Sequence, residues 1–344
     1  MSKFREVTLY ACGGAGINVA KTFEKYRREG NSPEHNDEAF ARINPVYIDT
    51  SRTNLSDGVA DDKHIYIVKS TDPITGQVEL DGSGKKRSIN ADVISQHTLD
   101  MLQTYVPTNV SIVISSASGG SGSVIAPSIV SELLDRDKIV IVLLMGSEDS
   151  VIEIENTSKT IKTYENIAKL RKKPVVVFYA NNSDFDKGRT QVNQEMVETI
   201  TRLSALFSGN NRELDSKDLE NWVNFNKTTS FTPKIAFLDC YYGKIEQLKS
   251  GQVISIATLC LEGENSSPGI IAEYQAVGYV TKEQNTQLNI SPNIHYVILD
   301  GIFNDVHVEL AQKLRSFDEE KRARVVKQTI LTEQDKPTSN GLIL

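Results

Sequence analysis

The strongest restriction on the fold comes from short runs that are apolar at every position. Ile139–Met145 is seven consecutive apolar residues, and Pro174–Ala180 is another unbroken run. A strand with one wet face alternates polar and apolar. A strand apolar throughout needs cover on both faces, as in a parallel sheet between helices. Val7–Ala11 and Val110–Ser115 read the same way, Pro45–Asp49 is a second strand in the chain, and His64–Val68 is a strand among loops rich in Gly, Lys and Asp. Between them Ile17–Arg28, Val93–Tyr105, Ile125–Leu134 and Val151–Arg171 read as helices. This alternation predicts an α/β fold, a doubly wound parallel sheet over residues 1–190.

Val192–Ser208 follows as one long helix with a broad apolar face, so residues 191–230 are expected to hold a central helix and the loop after it. The texture then changes. Lys234–Tyr242, Gly269–Thr281 and His295–Phe303 read as strands, with Gly243–Leu248 and Val306–Arg324 mostly helical. These predict a smaller α+β C-terminal domain over 231–316. The helix end and a flexible tail take up 317–344, the tail from about Thr332 being rich in polar residues with Pro and Gly.

Two glycine-rich turns each join a predicted strand to a predicted helix. The first is Ala11-Cys12-Gly13-Gly14-Ala15-Gly16-Ile17-Asn18, the second Ser116-Ala117-Ser118-Gly119-Gly120-Ser121-Gly122-Ser123. Glycines let a backbone approach an anion, and a helix N-terminus offers free N–H groups with a favourable dipole. Ser121 and Ser123 add hydroxyl donors. No lysine closes the second turn, so it is not a Walker loop, and Val19 stands where a Rossmann fingerprint wants glycine or alanine. Two such turns at the C-terminal ends of strands in one sheet face one crevice, the usual ligand site of open α/β sheets. A nucleotide di- or triphosphate fits that arrangement. Taken singly, the first turn reads equally well as a tight strand–helix connection; the second is the more informative of the two.

After the long helix comes Glu213-Leu214-Asp215-Ser216-Lys217-Asp218-Leu219. An isolated D-x-x-D is most simply the N-cap of a helix, here one starting near Ser216.

Together these segments resemble the tubulin/FtsZ superfamily. Ser118–Val124 (SGGSGSV) is similar to the signature GGGTG[ST]G, with Gly119, Gly120 and Gly122 matching and Ser121 keeping the hydroxyl; Ser118 and Val124 depart from it. Gly13, Gly14, Ala15, Gly16 and Asn18 resemble the family's first nucleotide loop. Asp49-Thr50-Ser51 follows the second strand where FtsZ has Asn-Thr-Asp, and Gly82-Ser83-Gly84-Lys85 lies where a loop faces the γ-phosphate. Asn181-Asn182 resembles the Asn-Asp that contacts ribose and base, Glu153 or Glu155 the acidic ribose contact, and Asn193 lies near the position that reads guanine. Asp215 and Asp218 match the acids of NxDxxD, with Glu213 in place of the asparagine. The resemblance implies GTP and GDP as ligands with Mg2+, head-to-tail polymerisation of the chain with itself, and GTP hydrolysis completed by the acids of a neighbouring subunit. The compact length and serine-substituted signature are most similar to the bacteriophage tubulins, the PhuZ group. Those proteins build filaments in the bacterial host cytoplasm that position viral DNA or the phage nucleus, so phage DNA or capsid cargo would be reached through other proteins.

Composition excludes several classes. Lys and Arg number 38 against 45 Asp and Glu, a net charge of −7, which disfavours direct nucleic-acid binding and anionic membranes. Cys12, Cys240 and Cys260 form neither a disulfide framework nor a CxxC site, and the five histidines show no metal-ligand spacing, so no protein-held metal site is expected. The first residues carry charges without an apolar run, and no stretch is long enough to span a bilayer, so a cytoplasmic protein is expected. Two other readings stay open: a plasmid-partitioning TubZ-like or division FtsZ-like filament, and a monomeric dinucleotide-binding α/β enzyme.

Overall fold

The computed structural model describes residues 5–28, 40–55, 62–72, 76–80, 82–183, 188–248, 250–288, 290 and 292–327. The expected tail from Thr332 onward lies outside the described residues. The strands are β1 (Glu6–Cys12), β2 (Arg42–Asp49), β3 (Ile65–Ile67), β4 (Lys69–Asp72), β5 (Gly76–Glu79), β6 (Val110–Ser116), β7 (Ile139–Gly146), β8 (Val175–Asn181), β9 (Ile235–Tyr242), β10 (Gln252–Leu261), β11 (Tyr274–Val280) and β12 (Asn293–Asp300). The helices are α1 (Gly13–Arg28), α2 (Ala91–Thr104), α3 (Gly122–Asp135), α4 (Val151–Arg171), α5 (Arg189–Phe207), α6 (Ser216–Val223), α7 (Lys282–Leu288) and α8 (Ile302–Lys327).

Ten strands form one sheet in the order β11-β10-β12-β9-β8-β7-β6-β1-β2-β3, while β4 and β5 pair apart. From β3 to β9 every neighbouring pair is parallel; β12 runs antiparallel to both β9 and β10. The apolar runs explain the burial. In β7, Ile139, Ile141 and Leu143 face one core, and Val140, Val142 and Leu144 face the other. One face is covered by α1, α5 and α6, through residues such as Phe23, Met196 and Trp222. The opposite face is covered by α2, α3, α4 and α8, through Met101, Ile129, Ile161 and Leu310.

The C-terminal strands extend this same sheet, because Val175–Val177 of β8 pair in parallel with Ile235–Phe237 of β9. Several local expectations shift there. Gly243–Leu248 is not helical: Gly243 has φ +67° and Ile245 N–H donates to Pro268 O at 2.9 Å, a tertiary bond that competes with helix formation. The strand expected over Gly269–Thr281 starts only at Tyr274, after Gly269 at φ +79° and an exposed Ile271. The strand expected to reach Phe303 stops at Asp300, where Gly301 at φ +93° turns the chain into α8. β10 and α7 were not expected at all.

Candidate nucleotide site

The order of strands reverses between β6 and β1. The helix after β1 packs on one face of the sheet and the helix after β6 on the other. Such a switch point leaves a crevice beyond the strand ends. A cavity of about 470 Å³ lies there, lined by the turns that follow β1, β2, β6, β7 and β8. Its floor is the two glycine turns, Cys12–Ala15 and Ser118–Gly122. Helices α1 and α3 both begin in these turns. Neither has an acidic residue in its first turn, and Ser121 makes no side-chain capping bond, so no carboxylate of the two helix starts opposes an anion.

Around this floor stand Asn18, Asp49 and Glu153, with Asn193 from the first turns of α5. Asp49 is buried. Burial pushes its carboxyl pKa up, partly offset by the Thr50 N–H at 2.8 Å and the Asn54 amide at 3.4 Å. Glu153 also feels burial, but Lys85 at 2.8 Å and the Ser150 hydroxyl at 2.7 Å outweigh it and hold its pKa below the usual range. Glu153 therefore lines the cavity; Glu155, the alternative, is on the surface in a pair with Lys159.

Four other expected residues support the wall instead of lining it. Gly16 packs against β6: a Cβ there would lie 2.4 Å from Ile114 O. The Thr50 hydroxyl meets Ser121 Oγ at 2.8 Å, tying the second strand to the glycine turn. Ser123 donates back to Gly119 O and Gly120 O at 2.6 and 2.9 Å, bracing the turn from within. Asn181 donates to Glu148 at 2.6 Å, and its neighbour Asn182 lines the cavity in its place. The sequence did not single out Asn54, Ser147 or Arg189, which also line it. Asn54 is signalled only by its Asp49 contact, and Arg189 only by opening the long helix.

Asp215 and Asp218 do not line this cavity. Asp215 caps α6, its Oδ1 accepting Lys217 N–H at 2.7 Å and Asp218 N–H at 3.0 Å, while Asp218 Oδ2 accepts Asp215 N–H at 3.1 Å. The backbone N–H groups of Asp218 and Lys217 hold the Asp215 carboxyl below the ordinary range, so it is ionised at neutral pH. Tyr274 of β11 donates to Asp218 Oδ1 at 3.2 Å. Glu213 before them has φ +77°, and Arg212 exchanges backbone hydrogen bonds with Tyr279 at 2.8 and 2.9 Å, pinning the acidic loop to the sheet. The acids follow the C-terminus of α5, whose N-terminal residues line the cavity. Its 19 residues put roughly 28 Å between the two features at ~1.5 Å per residue.

A second cavity, of about 320 Å³, lies between α5 and the start of β12 and is lined by side chains such as Val197, Leu288 and Tyr296. No glycine turn borders it. Among the described residues no group of three or more His, Cys, Asp or Glu is placed to hold a metal, and no helix is long and apolar enough to cross a membrane.

A mostly parallel sheet with paired glycine turns at its switch point, a long helix descending from the site and a capped acidic loop at its far end make up a tubulin-like fold. The chain is 28% identical to a phage tubulin-like protein of Pseudomonas phage phiKZ over 345 aligned positions, spanning all of this chain and 99% of that protein. A phage tubulin-like protein of Pseudomonas phage PhiPA3 is 28% identical over 260 positions, 75% of this chain and 74% of that protein. Among solved structures, a protofilament of TubZ from bacteriophage PhiKZ superposes with a TM-score of 0.78 at 26% identity, all of both chains covered. The phage tubulin PhuZ with GDP superposes at 0.80 and 22% identity, again over the whole of both chains. No family model matches the chain. This chain is thus similar to bacteriophage tubulins over its full length.

Proposed function

We propose that this chain is a GTP-dependent filament protein of the bacteriophage tubulin kind, which binds GTP and GDP in the glycine-turn cavity and hydrolyses GTP at the contact between subunits. One observation carries the reading: the anion-directed cavity and the two acids Asp215 and Asp218 sit at opposite ends of α5. If Asp215 and Asp218 act on the nucleotide at all, they act on the nucleotide of another molecule. Head-to-tail stacking meets that need, since one subunit's acidic end meets the next subunit's open cavity. Such a heterologous contact does not close on itself and gives open filaments.

In this assignment Gly13, Gly14, Ala15 and Ser118–Gly122 cradle the phosphates, Asn18, Glu153, Asn182 and Asn193 contact ribose and base, and Ser123, Thr50 and Gly16 hold the loops in shape. Mg2+ is commonly bound through one or two carboxylates together with phosphate oxygens. Asp49 is a carboxylate lining the cavity beside the first glycine turn, so the residues present fit an ion carried by the nucleotide. The metal would neutralise phosphate charge, while Asp215 and Asp218 orient and polarise the attacking water. Assembly would position viral DNA or capsid cargo through other proteins.

The test is GTP turnover per subunit against protein concentration, with electron microscopy of the same samples. Turnover per subunit should rise steeply above a threshold concentration at which GTP-dependent filaments appear. Constant turnover in dilute, unassembled protein overturns the reading, as does binding of NAD in place of GTP.

A further inference from the structure

The cavity offers a purine almost nothing flat to lie against. Apart from glycines and serines, its lining is amides, two carboxylates, Lys85, Arg189 and a few small or flexible apolar side chains. No aromatic ring is among the described residues that line it. Proteins that hold an unpaired base stack it on an aromatic ring or on an arginine guanidinium plane. Among the described lining residues the guanidinium of Arg189 is the largest planar group. Arg189 opens α5, and Asn193 lies four residues on, so the two line the cavity from one face of that helix.

The surroundings of Arg189 hold one edge of that plane. Its Nη2 donates to Asp149 Oδ2 at 3.4 Å. Asp149 is itself held, because its Oδ1 accepts the Ser183 hydroxyl at 2.6 Å. Ser183 Oγ also accepts Glu148 N–H at 2.7 Å, and its own N–H donates to Asn181 Oδ1 at 3.0 Å. The turns after β7 and β8 are thus tied together behind the carboxylate that anchors the guanidinium. A guanidinium donates its N–H bonds in its own plane, so the ion pair uses an edge and leaves the two faces to other partners. The side chain is 73% exposed, so a ligand has surface to cover.

We infer that Arg189 is the platform for the nucleotide base, its guanidinium stacking on the purine while Asn193, one helical turn on, meets the edge of the ring. The inference rests on the cavity being a guanine-nucleotide site and adds which residue holds the base. A cation over a π face is attracted to it. Lysine would keep the charge but has no plane to stack. Attraction to phosphate, by contrast, would be supplied by either cation.

The experiment is calorimetric titration with GDP and with inorganic pyrophosphate, at protein concentrations below assembly. In R189A, affinity for GDP should fall about tenfold or more, the usual worth of one stacked base, while that for pyrophosphate changes less than about threefold. R189K should lose as much GDP affinity as R189A. R189W, which supplies an aromatic face, should stay within about threefold of the wild type. R189K with wild-type affinity for GDP, or R189A weakened equally toward GDP and pyrophosphate, overturns this inference and leaves the site reading standing. So does loss of GDP affinity in F185A, the nearest aromatic side chain in the sequence, with none in R189A. A wild type that binds no guanine nucleotide overturns both.

Discussion

Arg87 fills the place of a backbone donor that Pro127 lacks. Pro127 has no N–H to offer the Ser123 carbonyl four residues earlier in α3, and the Arg87 guanidinium donates to that carbonyl at 3.1 Å. The same guanidinium reaches Thr160 Oγ1 at 2.9 Å and Asn156 O at 3.3 Å. One side chain therefore satisfies a proline-exposed carbonyl and ties the loop before α2 to α3 and α4. Replacing Arg87 with Leu should cost about 1–3 kcal/mol, since a buried acceptor loses its partner. Restoring the backbone donor with Pro127→Ala should recover part of that loss. A double-mutant cycle by urea denaturation should give a coupling of about 0.5–1 kcal/mol; zero coupling would separate the two residues.

The acidic loop carries two roles that a substitution can divide. Asp215→Ala removes a carboxylate and also an N-cap, and cap loss alone costs about 1 kcal/mol. Asp215→Ser keeps a capping oxygen and removes the charge. The stability of that serine variant should stay within about 0.5 kcal/mol of wild type, because Ser and Asp cap almost equally. GTP turnover in its assembled filaments should fall on the order of a hundredfold, the usual loss of a water-activating group. Nucleotide affinity of the unassembled chain should not change. Full turnover in this variant would reduce Asp215 to a helix cap.

The two glycine turns touch through their backbones. A Cβ on Gly13 would sit 2.8 Å from Gly122 Cα, and one on Gly122 would sit 2.6 Å from Cys12 O. Backbone cannot swing aside as a side chain can. Gly122→Ala should therefore destabilise the fold by about 1–3 kcal/mol and weaken guanine-nucleotide binding at least tenfold. Gly188→Ala is the control: no atom lies within 4 Å of its Cβ position, and it should change stability by less than about 0.5 kcal/mol. Calorimetric melting and nucleotide titration of both variants check the contrast.

How legible all this was depends on which forces set each segment. The strands β7 and β8 are apolar at nearly every position because both faces are covered, so burial itself wrote them into the sequence. The glycine turns were legible because close backbone contact excludes a Cβ. β10 was not legible. It is buried from Ile254 to Leu261 yet includes Ser255 and Thr258, whose hydroxyls are satisfied by Trp222 O and His295. Only tertiary partners make those polar positions acceptable in a core. Helix α7, KEQNTQL, buries only Leu288, so it has no apolar stripe to read. In the site, Lys85 was visible as part of a loop, but its pairing with Glu153 spans 68 positions and no local pattern announces it. The supporting roles of Thr50, Ser123 and Asn181 were hidden for the same reason: a motif marks a loop without saying which side chains face the ligand.

His295 gives the fold a pH dependence that a single substitution can isolate. It lies fully buried in β12 with Nδ1 2.8 Å from Thr258 Oγ1. Burial lowers its pKa from 6.5 to about 4, against a smaller opposite effect of the Gly243 backbone. The folded chain therefore refuses a proton that the unfolded chain accepts between those two values. Stability from this group is complete above about pH 6.5 and declines as pH falls toward 4, with a slope of at most about 1.4 kcal/mol per pH unit. Glu153 and Asp215, whose pKa values are depressed, act lower: their contribution is present above the ordinary carboxylate range and is lost as pH falls through the folded values. Between pH 6.5 and 5 His307, whose pKa burial also lowers, adds a loss of the same sign, while Asp49, whose pKa burial raises, acts in the opposite sense, so the His295 share is read from its substitution. Trp222 is the chain's single tryptophan, is buried, and packs edge-on against Tyr296 at 6.2 Å, so its fluorescence reports unfolding of this region. Urea midpoints followed at Trp222 should drop over that range in the wild type and drop less in His295→Gln. Equal slopes in the two proteins would mean that another group titrates there.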